Sequence, residues 1–107
     1  MKVQFRKNYK TKHPAYIYAY DINSNTYKFI GITHSQITDG IKNIKITNPN
    51  PSDIQDSYFR PFATEENTRN FSKYKYDWKT TRSTGQKARR IKQNFKNNHK
   101  NPYFNEL

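Results

Sequence analysis

Hydrophobic and polar positions alternate most clearly in two aromatic-rich runs near the N-terminus. Ala15-Tyr16-Ile17-Tyr18-Ala19-Tyr20 places small apolar residues between tyrosines, and Thr26-Tyr27-Lys28-Phe29-Ile30-Gly31-Ile32-Thr33-His34-Ser35 follows. A period of two predicts strands, and the turn formers Asp21-Ile22-Asn23-Ser24-Asn25 between them predict a β-hairpin. Periodicity does not decide which face is buried, so the tyrosine face is either a stacking platform or the core side. Pro14, which has no N–H, fits the start of the first strand, where no ladder bond is lost.

The remaining pattern extends this scheme. Val3 and Phe5 predict a short first strand, followed by a basic loop with Arg6, Lys7, Lys10 and Lys12. Asp39-Gly40 signals a turn, and Ile41, Ile44 and Ile46 predict a strand with an irregularity near Asn43. Asn48-Pro49-Asn50-Pro51-Ser52-Asp53 reads as a loop, because two prolines in three positions break regular structure. Ser57 to Phe62 predicts a short strand stopped at Pro61, and Thr64 to Phe71 a short helical turn. Tyr74, Tyr76 and Trp78 alternate with Lys75, Asp77 and Lys79, a further strand whose Trp closes the core. A helix capped by Ser83 or Thr84 is expected to run to about Asn98, with Ala88, Ile91 and Phe95 as a narrow apolar stripe.

The fold class expected is mainly β (α+β): five or six strands in a small, partly open barrel, finished by a basic C-terminal α-helix. All 107 residues form one domain in this reading, with a β-rich core to about residue 79 and a loosely held tail over 99–107. Only 32% of residues are hydrophobic and 16% of all residues are aromatic, so Tyr and Phe must build much of the core. No cysteine is present, which excludes disulfides, thiolate metal sites and a Cys nucleophile. Neither a secretory leader nor an apolar run of membrane-spanning length is legible, so no membrane association is expected and the cytoplasm is the expected location.

Charge changes the picture most. The formal net charge is +12, and it is lopsided. Residues 1–68 hold nine Lys/Arg against six Asp/Glu, a net of +3. Residues 69–100 hold eleven against the single acid Asp77, a net of +10, and Glu106 supplies the last −1. Such density points to a polyanion, because neutralising phosphates releases condensed counterions. The candidate nucleic-acid contacts are Lys73, Lys75, Lys79, Arg82, Lys87, Arg89, Arg90, Lys92 and Lys96, with Lys12, Tyr16 and Tyr18 from the hairpin. A solvated basic face and an acidic protein partner are the competing readings. Lys outnumbers Arg 14 to 6 and Asn reaches 13, a bias that suits the AT-rich coding of low-GC bacteria and their mobile elements.

Candidate chemistry is limited. The three histidines and eight acids show no metal-ligand spacing, and the three glycines are scattered, so no metal, nucleotide or other cofactor is expected. Metal-free cleavage of RNA stays open. It requires a base for the 2′-hydroxyl, donors for the charge on phosphorus and an acid for the leaving oxygen. His34 is a base or acid candidate, Thr33 and Ser35 offer donors, and Arg60 a bidentate fork. His13 and His34 are nearly symmetric about the Asn23-Ser24 turn, so antiparallel pairing is expected to set them roughly opposite. The bland alternative ties His34 to the Asp39-Gly40 turn and leaves His13 on the surface.

Lys12-His13-Pro14-Ala15-Tyr16-Ile17-Tyr18 and Tyr27 through Ser35 resemble the opening of the MazF/PemK endoribonuclease toxins and their ToxN relatives, over about a quarter of the chain. The shared feature is a basic residue and Pro opening an apolar strand, then a second strand running into a Thr-Ser element. The resemblance implies an SH3-like barrel, RNA cleavage without metal and an antitoxin partner, with Thr33 and Ser35 at the scissile phosphate. Here His34 splits the Thr-Ser pair, and Arg60 stands for the family's Arg. The expected function is therefore nucleic-acid binding, RNA before DNA, with endoribonucleolytic cleavage as its sharper form. The alternative is a non-enzymatic accessory factor of a mobile element or phage that binds nucleic acid or blocks a nucleoprotein complex.

Overall fold

The structure, a computed structural model, describes residues 1–96. The expected helix end at Asn98 and the tail over 99–107 lie outside the described residues. Seven strands appear: β1 (Gln4–Lys7), β2 (Pro14–Asp21), β3 (Thr26–Thr33), β4 (Ile37–Thr38), β5 (Ile41–Lys42), β6 (Ile44–Ile46) and β7 (Ser57–Asn67). A single α-helix among the described residues, α1 (Arg82–Ile91), follows. Five strands form one antiparallel sheet in the order β1-β2-β3-β7-β6, whose edge strands β1 and β6 are not paired with each other. The small β4–β5 hairpin stands apart, with Asp39 (φ 52) and Gly40 (φ 74) as its two turn residues. Positive φ at both central positions is the turn that matches strand twist.

The fold is mainly β, as the alternation predicts, and the hairpin forms around the expected turn. Two irregularities interrupt the sheet. A bulge at Tyr18 shifts the β2–β3 register between Ile17↔Phe29 and Ala19↔Lys28. A larger one leaves Arg60, Pro61 and Phe62 of β7 opposite the single residue Gly31 of β3. Pro61 therefore does not end its strand: it sits where the ladder is already interrupted and no bond to β3 is lost. The strand continues through Thr64–Asn67, where a helical turn is the sequence expectation, and only Thr68–Asn70 forms a 3-10 turn. Cross-strand pairing with Thr26–Phe29 overrides the local cap signal.

Both faces of the sheet are buried in part. On one, Phe5, Tyr16, Ile30, Ile32, Ile46, Phe59 and Ala63 pack under Ala88 and Ile91 of α1. Phe5 and Phe59 meet the Tyr16 ring edge-on at 5.6 and 5.2 Å, and Trp78 closes over Phe5 at 5.7 Å. On the other face, Ala15, Ile17 and Phe29 pack against Phe71. A strand buried on both sides explains why alternation alone does not name a core face in the hairpin.

Two further expectations are corrected. The segment Tyr74–Trp78 is not a regular strand; it touches the sheet through one bridge, Phe5↔Tyr76, and Tyr76 stacks on Trp78 at 4.0 Å. The helix is capped by Thr81, whose hydroxyl accepts from the Thr84 N–H, and it stops at Ile91. Phe95 is therefore no part of a helical stripe. It bridges Ala63 in parallel, with Ala63 N–H donating to the Asn94 carbonyl and Lys96 N–H to the Ala63 carbonyl. Among the described residues no helix is long and apolar enough to cross a membrane.

Candidate functional site

The end of β3 carries the candidate chemistry, and two clefts meet there on opposite faces of the sheet. The first, about 230 Å³, is lined by His13, Thr33, His34, Asp53, Ser57 and Trp78 among others. The second, about 330 Å³, is lined by His13, Thr33, Arg60, Phe62, Thr64 and Glu66 among others. His13 and Thr33 border both. The hairpin thus brings His13, Thr33 and His34 into one cleft as expected, while Arg60 joins His13 and Thr33 in the other.

His13 and His34 are not opposite each other. With Ala15 paired to Gly31 and Ile17 to Phe29, continuing the register sets His13 level with Thr33. The bulge at Tyr18 removes the symmetry about the turn, because one extra residue in β2 slides every later pair by one.

His34 is held at both ring nitrogens. Its Nδ1 lies 2.8 Å from the Asp56 carbonyl oxygen and its Nε2 lies 3.2 Å from Asp53 Oδ2. The bond goes to the 48–56 loop, and not to the Asp39-Gly40 turn of the bland expectation. That loop is braced internally. Asn48 Oδ1 accepts from Asn50 N–H, Asn50 Oδ1 from Ser52 N–H and Asp53 Oδ1 from Gln55 N–H. Asn48 Nδ2 donates to the Asp53 and Gln55 carbonyls. Short Asx turns of this kind let a proline-rich loop hold one shape without a ladder. The Gln55 N–H, followed by Asn48 and then by the charge of His34, keeps the Asp53 carboxyl below its ordinary value.

Thr33 Oγ1 accepts from the Ser35 N–H, and the Ser35 carbonyl accepts from Asn43 Nδ2. Ser35 therefore serves the β3–β4 link through its backbone and lines neither cleft. Arg60 Nη1 donates to Asn43 Oδ1 at 2.7 Å, and its guanidinium lies 5.2 Å from the centre of the Phe62 ring. Gly31 makes this possible: a Cβ there would stand 3.1 Å from Arg60 Cγ. No three His, Asp or Glu side chains are gathered among the described residues as metal ligands would be.

The tyrosines expected to stack on bases are used by the fold. Tyr16 is core, 3% exposed, and burial raises its hydroxyl's pKa. Tyr18 is half-buried against the same core, with Lys92 Nζ 4.5 Å from its ring centre. Burial and then Glu65 raise its pKa.

The basic positions fare differently. Lys12, Lys73, Lys75, Lys79, Arg82, Arg89, Arg90, Lys92 and Lys96 are exposed. Lys87 is half-buried and donates to the Lys45 carbonyl at 2.7 Å. The ion pairs among the described residues are Lys10–Glu66, His34–Asp53 and Lys45–Asp56. None involves a Lys or Arg between residues 73 and 96. Lys73 and Lys96 instead lie over the Tyr74 and Phe62 rings.

Sequence reasoning misses Asp53, Ser57, Thr64 and Glu66. Asp53 reaches His34 through a loop whose path no periodicity encodes, and Thr64 and Glu66 are hidden by the helical signal over 64–71. Comparison of the chain with protein-family models, curated proteins and solved structures gives no match.

Proposed function

We propose that this protein binds nucleic acid, RNA before DNA, along the basic surface of residues 73–96. The observation that carries this reading is the set of exposed Lys and Arg there without a carboxylate partner among the described residues. Cations left unmatched by their own protein repel one another, and a phosphate backbone relieves that repulsion while releasing counterions. The aromatics under Lys73, Lys92 and Lys96 hold some of these side chains in place.

Metal-independent cleavage is the sharper form, favoured by the meeting of His13 and Thr33 with His34 in one cleft and with Arg60 in the other. In that chemistry the RNA 2′-oxygen attacks phosphorus as the bond to the 5′-oxygen breaks, leaving a 2′,3′-cyclic phosphate. His13 takes the 2′-hydroxyl proton, and solvent water protonates the 5′-oxygen, which leaves as an alcohol. Arg60 and Thr33 bear the charge on phosphorus. His34, with both nitrogens engaged, acts by fixing the 48–56 loop. The resemblance to the MazF/PemK and ToxN toxins, a partly open SH3-like barrel and an acidic antitoxin partner belong to the same proposal. The bulges, which coil the sheet, support the barrel reading.

The test incubates purified protein with labelled single-stranded RNA in excess EDTA, beside Arg89→Ala/Arg90→Ala, His13→Ala and His34→Ala. Retarded, intact RNA whose shift weakens in the double variant supports the binding module. Discrete cleavage lost in His13→Ala supports the nuclease. An RNA neither shifted nor cut overturns RNA binding and cleavage alike and turns attention to DNA or an acidic protein partner.

A further inference from the structure

We propose that the second cleft is a base pocket for guanine in a single-stranded nucleic acid, read by Glu66 and Thr64. The inference rests on the proposed nucleic-acid binding and adds to it the base that is selected. At about 330 Å³ the cleft is at the small end of ligand pockets, which run from about 300 to 1,000 Å³. Phe29 and Phe62 give it aromatic walls. Phe29 is 4% exposed and the Phe62 ring has Arg60 and Lys96 beside it, so these walls give the cleft an apolar lining without choosing a base.

The choice comes from two buried polar side chains one turn of the pleat apart on β7. Glu66 is 5% exposed, and its Oε2 already accepts from Asn70 Nδ2 at 3.2 Å with Lys10 Nζ at 3.9 Å. Oε1 has no such partner among the described residues. Thr64 is 3% exposed, and its hydroxyl has no hydrogen-bond partner among the described residues. A buried hydroxyl left unpaired is costly, and Thr64 lines the cleft, so a ligand atom that reaches this hydroxyl is favoured there. A carboxylate only accepts, whereas a hydroxyl can also donate. Guanine offers the matching edge: N1–H and N2–H for Glu66 and O6 for Thr64. Adenine turns its N1 lone pair towards the carboxylate and its amino group towards the hydroxyl, which leaves the carboxylate unsatisfied.

The surroundings suit a nucleotide. Arg60 spends one N–H on Asn43 and keeps the rest of its fork for a phosphate. Lys96 lies 4.7 Å from the centre of the Phe62 ring, which joins the cleft to the basic surface.

The experiment measures, by fluorescence anisotropy, affinity for a labelled oligouridylate carrying one central guanosine or one central adenosine. The guanosine strand is expected to bind about tenfold more tightly. Thr64→Val, which removes only the unpaired hydroxyl, is expected to reduce the preference with an unchanged melting temperature; Glu66→Gln is expected to abolish it. Equal and tight binding of both strands overturns the pocket and leaves the basic surface standing. A second readout follows the Gly31 and Thr64 amide resonances as 5′-GMP or 5′-AMP is added. Shifts with GMP alone support the pocket even when no RNA is bound, and identical shifts or none overturn it.

Discussion

The sheet and the C-terminal third treat charge in opposite ways. In residues 1–68 five of the six carboxylates, all but Asp39, have a hydrogen-bond or ion-pair partner among the described residues. Asp21 caps its own turn, Asp53 meets His34, Asp56 meets Lys45, Glu65 accepts from Thr26, and Glu66 accepts from Asn70 beside Lys10. In residues 73–96 cations rest on aromatic rings and on a carbonyl, and none has a carboxylate partner among the described residues. Yet α1 is anchored to the same core through Ala88 and Ile91. A scaffold with nine Lys/Arg against six carboxylates, most of them engaged, thus supports a surface with almost no carboxylates at all, and an external polyanion is the chemistry that completes that surface.

Removing the shared anchor breaks the comparison most strongly. Phe59 is fully buried between Tyr16 and the surrounding aliphatics, so Phe59→Ala is expected to cost about 3–5 kcal/mol, read as a fall in the denaturant midpoint. Both regions should lose structure together. Next, Arg89→Glu with Arg90→Glu leaves the core untouched and should lower affinity for single-stranded RNA at least about tenfold at physiological salt. Its melting temperature should stay the same or rise, since two repelling cations are gone.

A smaller effect tests the helix alone. Thr81→Ala deletes the cap on the Thr84 N–H and should cost about 1 kcal/mol, seen as lost helical ellipticity and a lower melting temperature. RNA affinity should fall with it, because the cap sets where Arg82 to Lys92 stand. The smallest effect is titration of the sheet's loop. The Asp53 carboxyl is lowered from 3.8, so its contribution to stability is complete above that value and fades as pH falls through the lower folded one. Urea midpoints compared between pH 5 and pH 2 should show this extra loss in the native protein and not in Asp53→Asn.

Much of the scaffold is legible in the sequence because it follows local rules. The hairpin is announced by alternation and turn residues, the β4–β5 turn by Asp39-Gly40, and the basic surface by counting charges. The errors arise where tertiary pairing decides. Pro61 stays inside a strand because three residues bulge against Gly31, and Thr64–Asn67 extends because Thr26–Phe29 pairs with it. Tyr16 is core because α1 and residues 76–78 cover its face, which no pattern within the hairpin can report. Of the candidate site, His13, Thr33, His34 and Arg60 are found from residue type and position. Asp53 and Asn43, the partners of His34 and Arg60, and Glu66 on the cleft wall come from distant loops and strands and leave no local trace.

The most direct measurement is the salt dependence of single-stranded RNA affinity in EDTA, for the native protein and for Arg89→Ala/Arg90→Ala. Log K is expected to fall linearly with log salt. The slope should be shallower by about 1.4 in the variant, at about 0.7 for each phosphate no longer neutralised. Affinity that ignores salt, or a slope the two substitutions leave unchanged, would contradict polyanion binding at this surface.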